Sequence, residues 1–102
     1  MDLQGRFIGC LLGVAVGDAL GMPTEGYTAR EIRARWGVVR DMLPAPEEHF
    51  HSGLQAGQFT DDTEETLILA ESIIEAHGFS ADLFAGKLAN WGAAWTLDER
   101  LN

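Results

Sequence analysis

Thr60, Asp61, Asp62 and Thr63 set four side-chain oxygen groups side by side at the mouth of a predicted amphipathic helix. Two kinds of chemistry use such a run. Hard divalent cations take oxygen ligands, and magnesium in particular is held by one or two carboxylates together with water and substrate oxygens. Helix N-termini favour the same residues, because Thr and Asp accept from free backbone N–H groups and acids in the first turn complement the helix dipole. Asp61 with Glu64 and Asp62 with Glu65 also have the spacing of capping-box-like pairs. Against a purely capping role, neighbouring carboxylates repel one another, and one acid already supplies most of a cap's ~1 kcal/mol. On these residues alone, both readings stand.

A second acidic segment is Gly17-Asp18-Ala19-Leu20-Gly21-Met22-Pro23-Thr24-Glu25-Gly26. Asp18 falls in an apolar helix, where an ionised and unpaired carboxylate is costly, so it is expected to bond backbone amides or other polar groups. Its role is either to orient the turn or to take part in catalysis. Glu25 lies beyond the helix, where solvent access permits a proton-transfer or metal role. His49 and His51 alternate within a loop, but no third nitrogen or thiolate ligand stands near them. They are expected to be exposed loop residues lining a cleft rather than zinc ligands.

The elements that must position these groups are helical. Residues 3–20 are apolar enough for a helix buried on most sides, with Gly21 and Pro23 closing it. Gly5, Gly9, Gly13, Gly17 and Gly21 recur every fourth residue and make a stripe without side chains. Each interior glycine costs about 1 kcal/mol of propensity, so close approach of another helix or a ligand must compensate, and helix packing is the expectation for the first three, Gly5, Gly9 and Gly13. Cys10 has apolar neighbours and is expected in the core. Thr28 with Glu31 opens a short helix that ends near Trp36 at Gly37. Residues 38–43 suit an isolated extended segment, and residues 44–59 form a long irregular stretch that leads into the acidic tetrad.

A helix over residues 62–77 carries Leu67, Ala70, Ile73, Ile74 and His77 on one side, and Gly78 stops it. Ser80 caps a last helix whose apolar stripe is Phe84, Leu88, Trp91 and Trp95, a spacing that suits core packing. With almost no period-two alternation, the chain reads as all-α.

Sixteen acidic and seven basic residues give the 102-residue chain a formal net charge of −9. That excess disfavours nucleic acid and anionic membranes as partners. Arg30, Arg33, Arg35 and Arg40 cluster, a pattern read as a solvated helix face. A single cysteine excludes an intrachain disulfide and makes a reducing, cytoplasmic setting the expectation. The apolar run 7–17 is eleven residues long and is followed by Asp18, too short to span a membrane. Asp2 beside Arg6 is a poor start for a signal peptide.

Taken together, the Gly-Asp-Ala-Leu-Gly segment with Glu25 and the later Gly57-Gln58-Phe59-Thr60-Asp61-Asp62-Thr63 resemble the ADP-ribosylglycohydrolase family, which includes the dinitrogenase reductase-activating glycohydrolases. Both motifs occur in the family's order, and the resemblance covers essentially the whole chain. It implies an all-α helical bundle that cleaves the glycosidic bond between ADP-ribose and a protein side chain or small acceptor, using a pair of Mg2+ or Mn2+ ions. It further implies that Thr60, Asp61 and Asp62 are metal ligands, that Glu25 is the catalytic carboxylate and a further ligand, and that Asp18 organises the turn. Such a metal pair can orient ribose hydroxyls and activate water for an oxocarbenium-like transition state.

The family's second acidic cluster, of Asp-x-Asp-Asp-Thr type, has no counterpart here. Glu64, Glu65, Glu71, Glu75, Asp82, Asp98 and Glu99 do not recreate it. Residues 1–102 are therefore expected to form a single helical segment that lacks the family's C-terminal part. It should expose apolar helix faces and act only with further sequence or a complementing chain. A rival expectation is a short homologue without turnover that binds ADP-ribose, self-associates or pairs with a relative. A third is a helical module in which the tetrad is only a cap.

Overall fold

The computed structural model describes residues 2–96, with side chains as far as residue 94. The side chain of Trp95 and the acids Asp98 and Glu99 lie outside the described residues. Four helices run in order: α1 (Leu3–Gly21), α2 (Ala29–Trp36), α3 (Asp61–Ala76) and α4 (Ala81–Thr96), with a 3-10 turn at Met22–Thr24. Among the described residues there is no strand, and residues 38–43 are irregular rather than extended. The all-α expectation holds. The chain divides into two compact units, Met1–Thr63 and Glu64–Asn102, with the division inside α3.

In the first unit, the Asp2 carboxylate caps α1 by accepting from the Gly5 N–H at 2.6 Å. The expected burial of α1 is corrected: Leu3, Phe7, Ile8, Leu12 and Val16 are all at least half exposed, and Cys10 is exposed as well. A Cβ placed on Gly9, Gly13, Gly17 or Gly21 would meet nothing within 4 Å, so no close helix approach explains those glycines among the described residues. Burial concentrates at the C-terminal end of α1, in Ala19, Met22 and Pro23. Gly21 does not cap the helix in a left-handed conformation. It stays right-handed at φ −82°, and α1 passes directly into the 3-10 turn, which Pro23 suits.

The expectation about membrane length also needs correction. With its following turn, α1 is by length and composition apolar enough to cross a membrane, with a mean hydropathy of 1.5 over an 18-residue stretch within Leu3–Thr24. The hydrogen-bonded carboxylate of Asp18 lies within that stretch, an arrangement suited to a helix packed within protein.

Thr28 caps α2 by accepting from the Glu31 N–H at 3.1 Å, and Gly37 ends it at φ 72°. Arg30, Arg33 and Arg35 are exposed on α2, as a solvated helix face requires, whereas Arg40 is exposed in the irregular segment beyond it. Arg35 pairs with Glu48, which also accepts from the Tyr27 hydroxyl at 3.0 Å. The long irregular stretch is a succession of turns closed by backbone bonds, including His49 to Pro46, Ser52 to His49 and Leu54 to His51.

The firmest tie in this unit is made by Asp18. Its carboxylate accepts four hydrogen bonds, from the backbone N–H and hydroxyl of Thr60 at 2.8 and 2.6 Å and from those of Thr63 at 3.1 and 2.6 Å. Thr60 precedes α3 and Thr63 is its third residue, so these two amides are the ones a capping box satisfies. Here a single acid from α1 satisfies both. Burial of Asp18 pushes its carboxyl up, but the hydrogen bonds from Thr60 and Thr63 outweigh that and hold it below its ordinary 3.8. They stabilise only the ionised form.

In the second unit, Ser80 Oγ accepts from the Leu83 N–H at 3.2 Å and caps α4. Phe84, Leu88 and Trp91 are half-buried along its stripe, whereas Leu67, Ile73 and Ile74 of α3 are exposed. Ser72 is fully buried and donates to the Leu69 carbonyl at 2.8 Å. The stop of α3 also differs from expectation. His77, not Gly78, takes the left-handed conformation, at φ 56°, while the Gly78 N–H reaches the Ile73 carbonyl at 3.0 Å. That is a Schellman closure with a non-glycine at its left-handed position.

Two outcomes follow from these local arrangements. His77→Gly should raise stability by about 1 kcal/mol in urea unfolding, because glycine adopts a left-handed φ without steric cost. Asp18→Ala should destabilise by about 1–3 kcal/mol at neutral pH through loss of the cap and its charge-assisted bonds. Because the folded carboxyl lies below its ordinary 3.8, this contribution is complete above that pH and is lost as pH falls through the folded value. Unfolding of wild type and Asp18→Ala should therefore converge in acid below that point.

Candidate metal centre

Glu25 follows the 3-10 turn with extended backbone angles, φ −59° and ψ 132°, so the chain leaves helical geometry at this residue. Gly26 continues the bend at φ 87°, where a Cβ would also stand 3.3 Å from the Phe50 ring. This turn brings Glu25 to an open cleft of about 250 Å³ lined by Gly17, Asp18, Gly21, Met22, Glu25 and Asp62. Two of the four candidate ligands, Glu25 and Asp62, thus share one cleft. Gly17 and Gly21 give its floor no side-chain bulk.

Thr60 and Asp61 are not in the cleft lining. Thr60 is buried, and its hydroxyl donates a hydrogen bond to Asp18, which leaves the oxygen lone pairs as acceptors. Asp61 is exposed in the first turn of α3. Within α3 itself, carboxylate oxygens of Asp61, Asp62 and Glu65 lie within 4.8 Å of one another, close enough to hold one metal ion. Glu65 was not among the candidate ligands, although its spacing to Asp61 and Asp62 places it on their side of a helix.

The electrostatics are those of crowded negative charge. The Asp62 carboxyl is pushed above its ordinary 3.8, chiefly by the neighbouring Asp61 charge, then by burial and by the charges of Asp18 and Glu25. A divalent cation would relieve this repulsion, and carboxylates with a hydroxyl form the all-oxygen donor set that Mg2+ and Mn2+ take. Contacts beyond the pairs read from spacing also serve this helix start. Glu64 accepts from the Trp91 indole N–H at 2.7 Å, and Asp18 fills the capping role.

The two loop histidines face Glu25. His49 is buried rather than exposed, and its Nε2 lies 2.6 Å from the Glu25 carbonyl. Its Nδ1 accepts from the His51 backbone N–H at 3.0 Å. His51 is half-buried, and its Nε2 lies 2.8 Å from Glu25 Oε2. Both ring nitrogens of His49 are thus engaged, which leaves it no lone pair for zinc. Sequence spacing gave no signal for either contact, because the partners are separated by the whole of α2.

A family model described as ADP-ribosylglycohydrolase matches residues 1–100. An uncharacterized protein of Archaeoglobus fulgidus is 48% identical over 87% of this chain and 28% of its own length. ADP-ribosyl-[dinitrogen reductase] glycohydrolase of Rhodospirillum rubrum is 43% identical over 71% of this chain and 23% of its own. ADP-ribosylarginine hydrolase Tri1 of Serratia proteamaculans is 37% identical over 81% of this chain and 20% of its own. The chain therefore spans between a fifth and about a quarter of the length of these relatives. No solved structure matches it significantly. With a family match running through nearly all of its residues, the chain belongs to the ADP-ribosylglycohydrolase family.

Proposed function

We propose that this chain supplies one side of the metal site of a hydrolase that cleaves the glycosidic bond of an ADP-ribosylated protein or small molecule. Glu25, Thr60, Asp61 and Asp62 would hold Mg2+ or Mn2+, and Glu25 would also serve as the catalytic carboxylate. The observation that carries this reading is the meeting of Glu25 and Asp62 at one cleft, where Asp61, Asp18 and Glu25 together raise the Asp62 carboxyl. A cap alone would not require Glu25 there. When bound, divalent cations supply charge that orients ribose hydroxyls and activates water. Asp18 accepts the hydrogen bond of the Thr60 hydroxyl and so leaves the lone pairs of that neutral oxygen as acceptors, while Glu25 is placed to accept a proton at the cleft.

The relatives named as an ADP-ribosyl-[dinitrogen reductase] glycohydrolase and an ADP-ribosylarginine hydrolase support a side-chain acceptor. Two octahedral ions need more oxygens than these residues offer, so turnover requires additional ligands. The exposed apolar residues of α1 support a source for them: further helices that pack around α1 and bring the opposing acids. The difference in length from the relatives supports the same reading.

The test is hydrolysis of ADP-ribosyl-arginine in the presence of Mn2+. The 102-residue chain alone should show little turnover, and the chain fused to the C-terminal remainder of the Rhodospirillum rubrum relative should gain it. Asp62→Asn in the fusion should reduce the rate by more than the about 10–100-fold typical of residues that merely support a ligand. Turnover indifferent to Mn2+ and to Asp62→Asn would overturn the proposal.

The exposed apolar residues of α1 give a second measurable outcome. By itself the chain should self-associate in sedimentation experiments, because exposed apolar surface favours association. Phe7→Lys combined with Leu12→Lys should shift it to monomer, since each replaces an apolar side chain of α1 that is about 60% exposed.

A further inference from the structure

We propose that His49 and His51 are positioning residues that hold Glu25 at the cleft, one through its main chain and one through its carboxylate; this rests on the reading of Glu25 as a cation ligand. Glu25 leaves helical geometry, so its carbonyl is not bound into a helix ladder. The His49 ring meets that carbonyl at 2.6 Å. Because His49 Nδ1 accepts from the His51 backbone N–H, the proton of the neutral ring is assigned to Nε2, which donates to the Glu25 carbonyl. The same backbone bond places residue 51 so that its own Nε2 reaches Glu25 Oε2 at 2.8 Å. Oε1 is left to serve a cation.

The rings are themselves fixed. Tyr27 and His49 stack with centroids 5.6 Å apart, His49 and Phe50 at 4.2 Å, and Phe50 meets the tilted His51 ring at 4.4 Å. Tyr27 is held in turn by Glu48 and by the edge of Trp36 at 5.6 Å. One row of stacked side chains thus stands behind one carboxylate. Outer residues that hydrogen-bond a ligating carboxylate fix its orientation and tune its affinity. The His51–Glu25 pair is unsuited to a mainly structural role, because the Glu25 side chain is 51% exposed and exposed ion pairs contribute little to stability.

The experiment measures Mn2+ affinity of the 102-residue chain fused to the C-terminal remainder of the Rhodospirillum rubrum relative, by loss of the free-ion electron paramagnetic resonance signal. Wild type is compared with Glu25→Gln, His51→Phe and His51→Gln, with thermal midpoints recorded in parallel. His51→Phe keeps an aromatic ring against Phe50 but removes the donor, and it should weaken Mn2+ binding about 10–100-fold with little change in midpoint. His51→Gln places an amide N–H near the lost Nε2 and should bind close to wild type. If Glu25→Gln weakens binding while His51→Phe does not, the positioning role is overturned and the ligand reading stands. Equal losses in His51→Phe and His51→Gln would also overturn it. If wild type binds no Mn2+, or Glu25→Gln binds as wild type does, the ligand reading fails and the positioning role with it.

Discussion

The four hydrogen bonds accepted by Asp18 from Thr60 and Thr63 are the constraint on which the first unit rests. A helix start leaves several N–H groups without intrahelical partners, and these must be satisfied by side chains or water. The usual solution is local, but here the acceptor comes from the far side of a long irregular segment. Asp18 thus serves the Thr60 and Thr63 amides, and the charges of Asp61, Asp18 and Glu25 gather around Asp62.

The helices were legible because their signals are local. Thr28 and Ser80 cap α2 and α4, and Gly37 ends α2 in the left-handed conformation its residue type suggests. Boundaries came within a residue or two wherever a cap was involved. What failed was the inference from apolarity to burial. Leu3, Phe7, Leu12, Ile73 and Ile74 have the pattern of residues that pack, yet they are exposed in this structure. A sequence records that a face is apolar, and the partner that covers it need not lie among the same residues. The end of α3 failed for another reason, since glycine is only the commonest left-handed residue and His77 occupies that position instead.

The site was half legible. The run of oxygen donors marked Thr60, Asp61 and Asp62, and the bend after Pro23 marked Glu25, but their separation into an exposed pair of acids and a buried hydroxyl did not follow from adjacency. That division arises from the helix itself, whose first turn points successive side chains in different directions. Nor did anything in the spacing join His49 and His51 to Glu25. Contacts between loops depend on where each turn carries the chain, and such turns are set by particular bonds, such as the one from His49 to the Pro46 carbonyl.

Asp18 and Thr60 also act as a clasp on the polypeptide between them. Once the two ends of a long loop are joined, adding residues to it costs little, about 0.6 kcal/mol for each doubling of length. The stretch after Gly37 can therefore take up extra length at little cost, provided that Glu48, His49, Phe50 and His51 keep their contacts with Tyr27 and Glu25. The clasp itself has no such latitude. Insertions can thus be accommodated in the loop away from residues 48–51 while its two ends remain fixed.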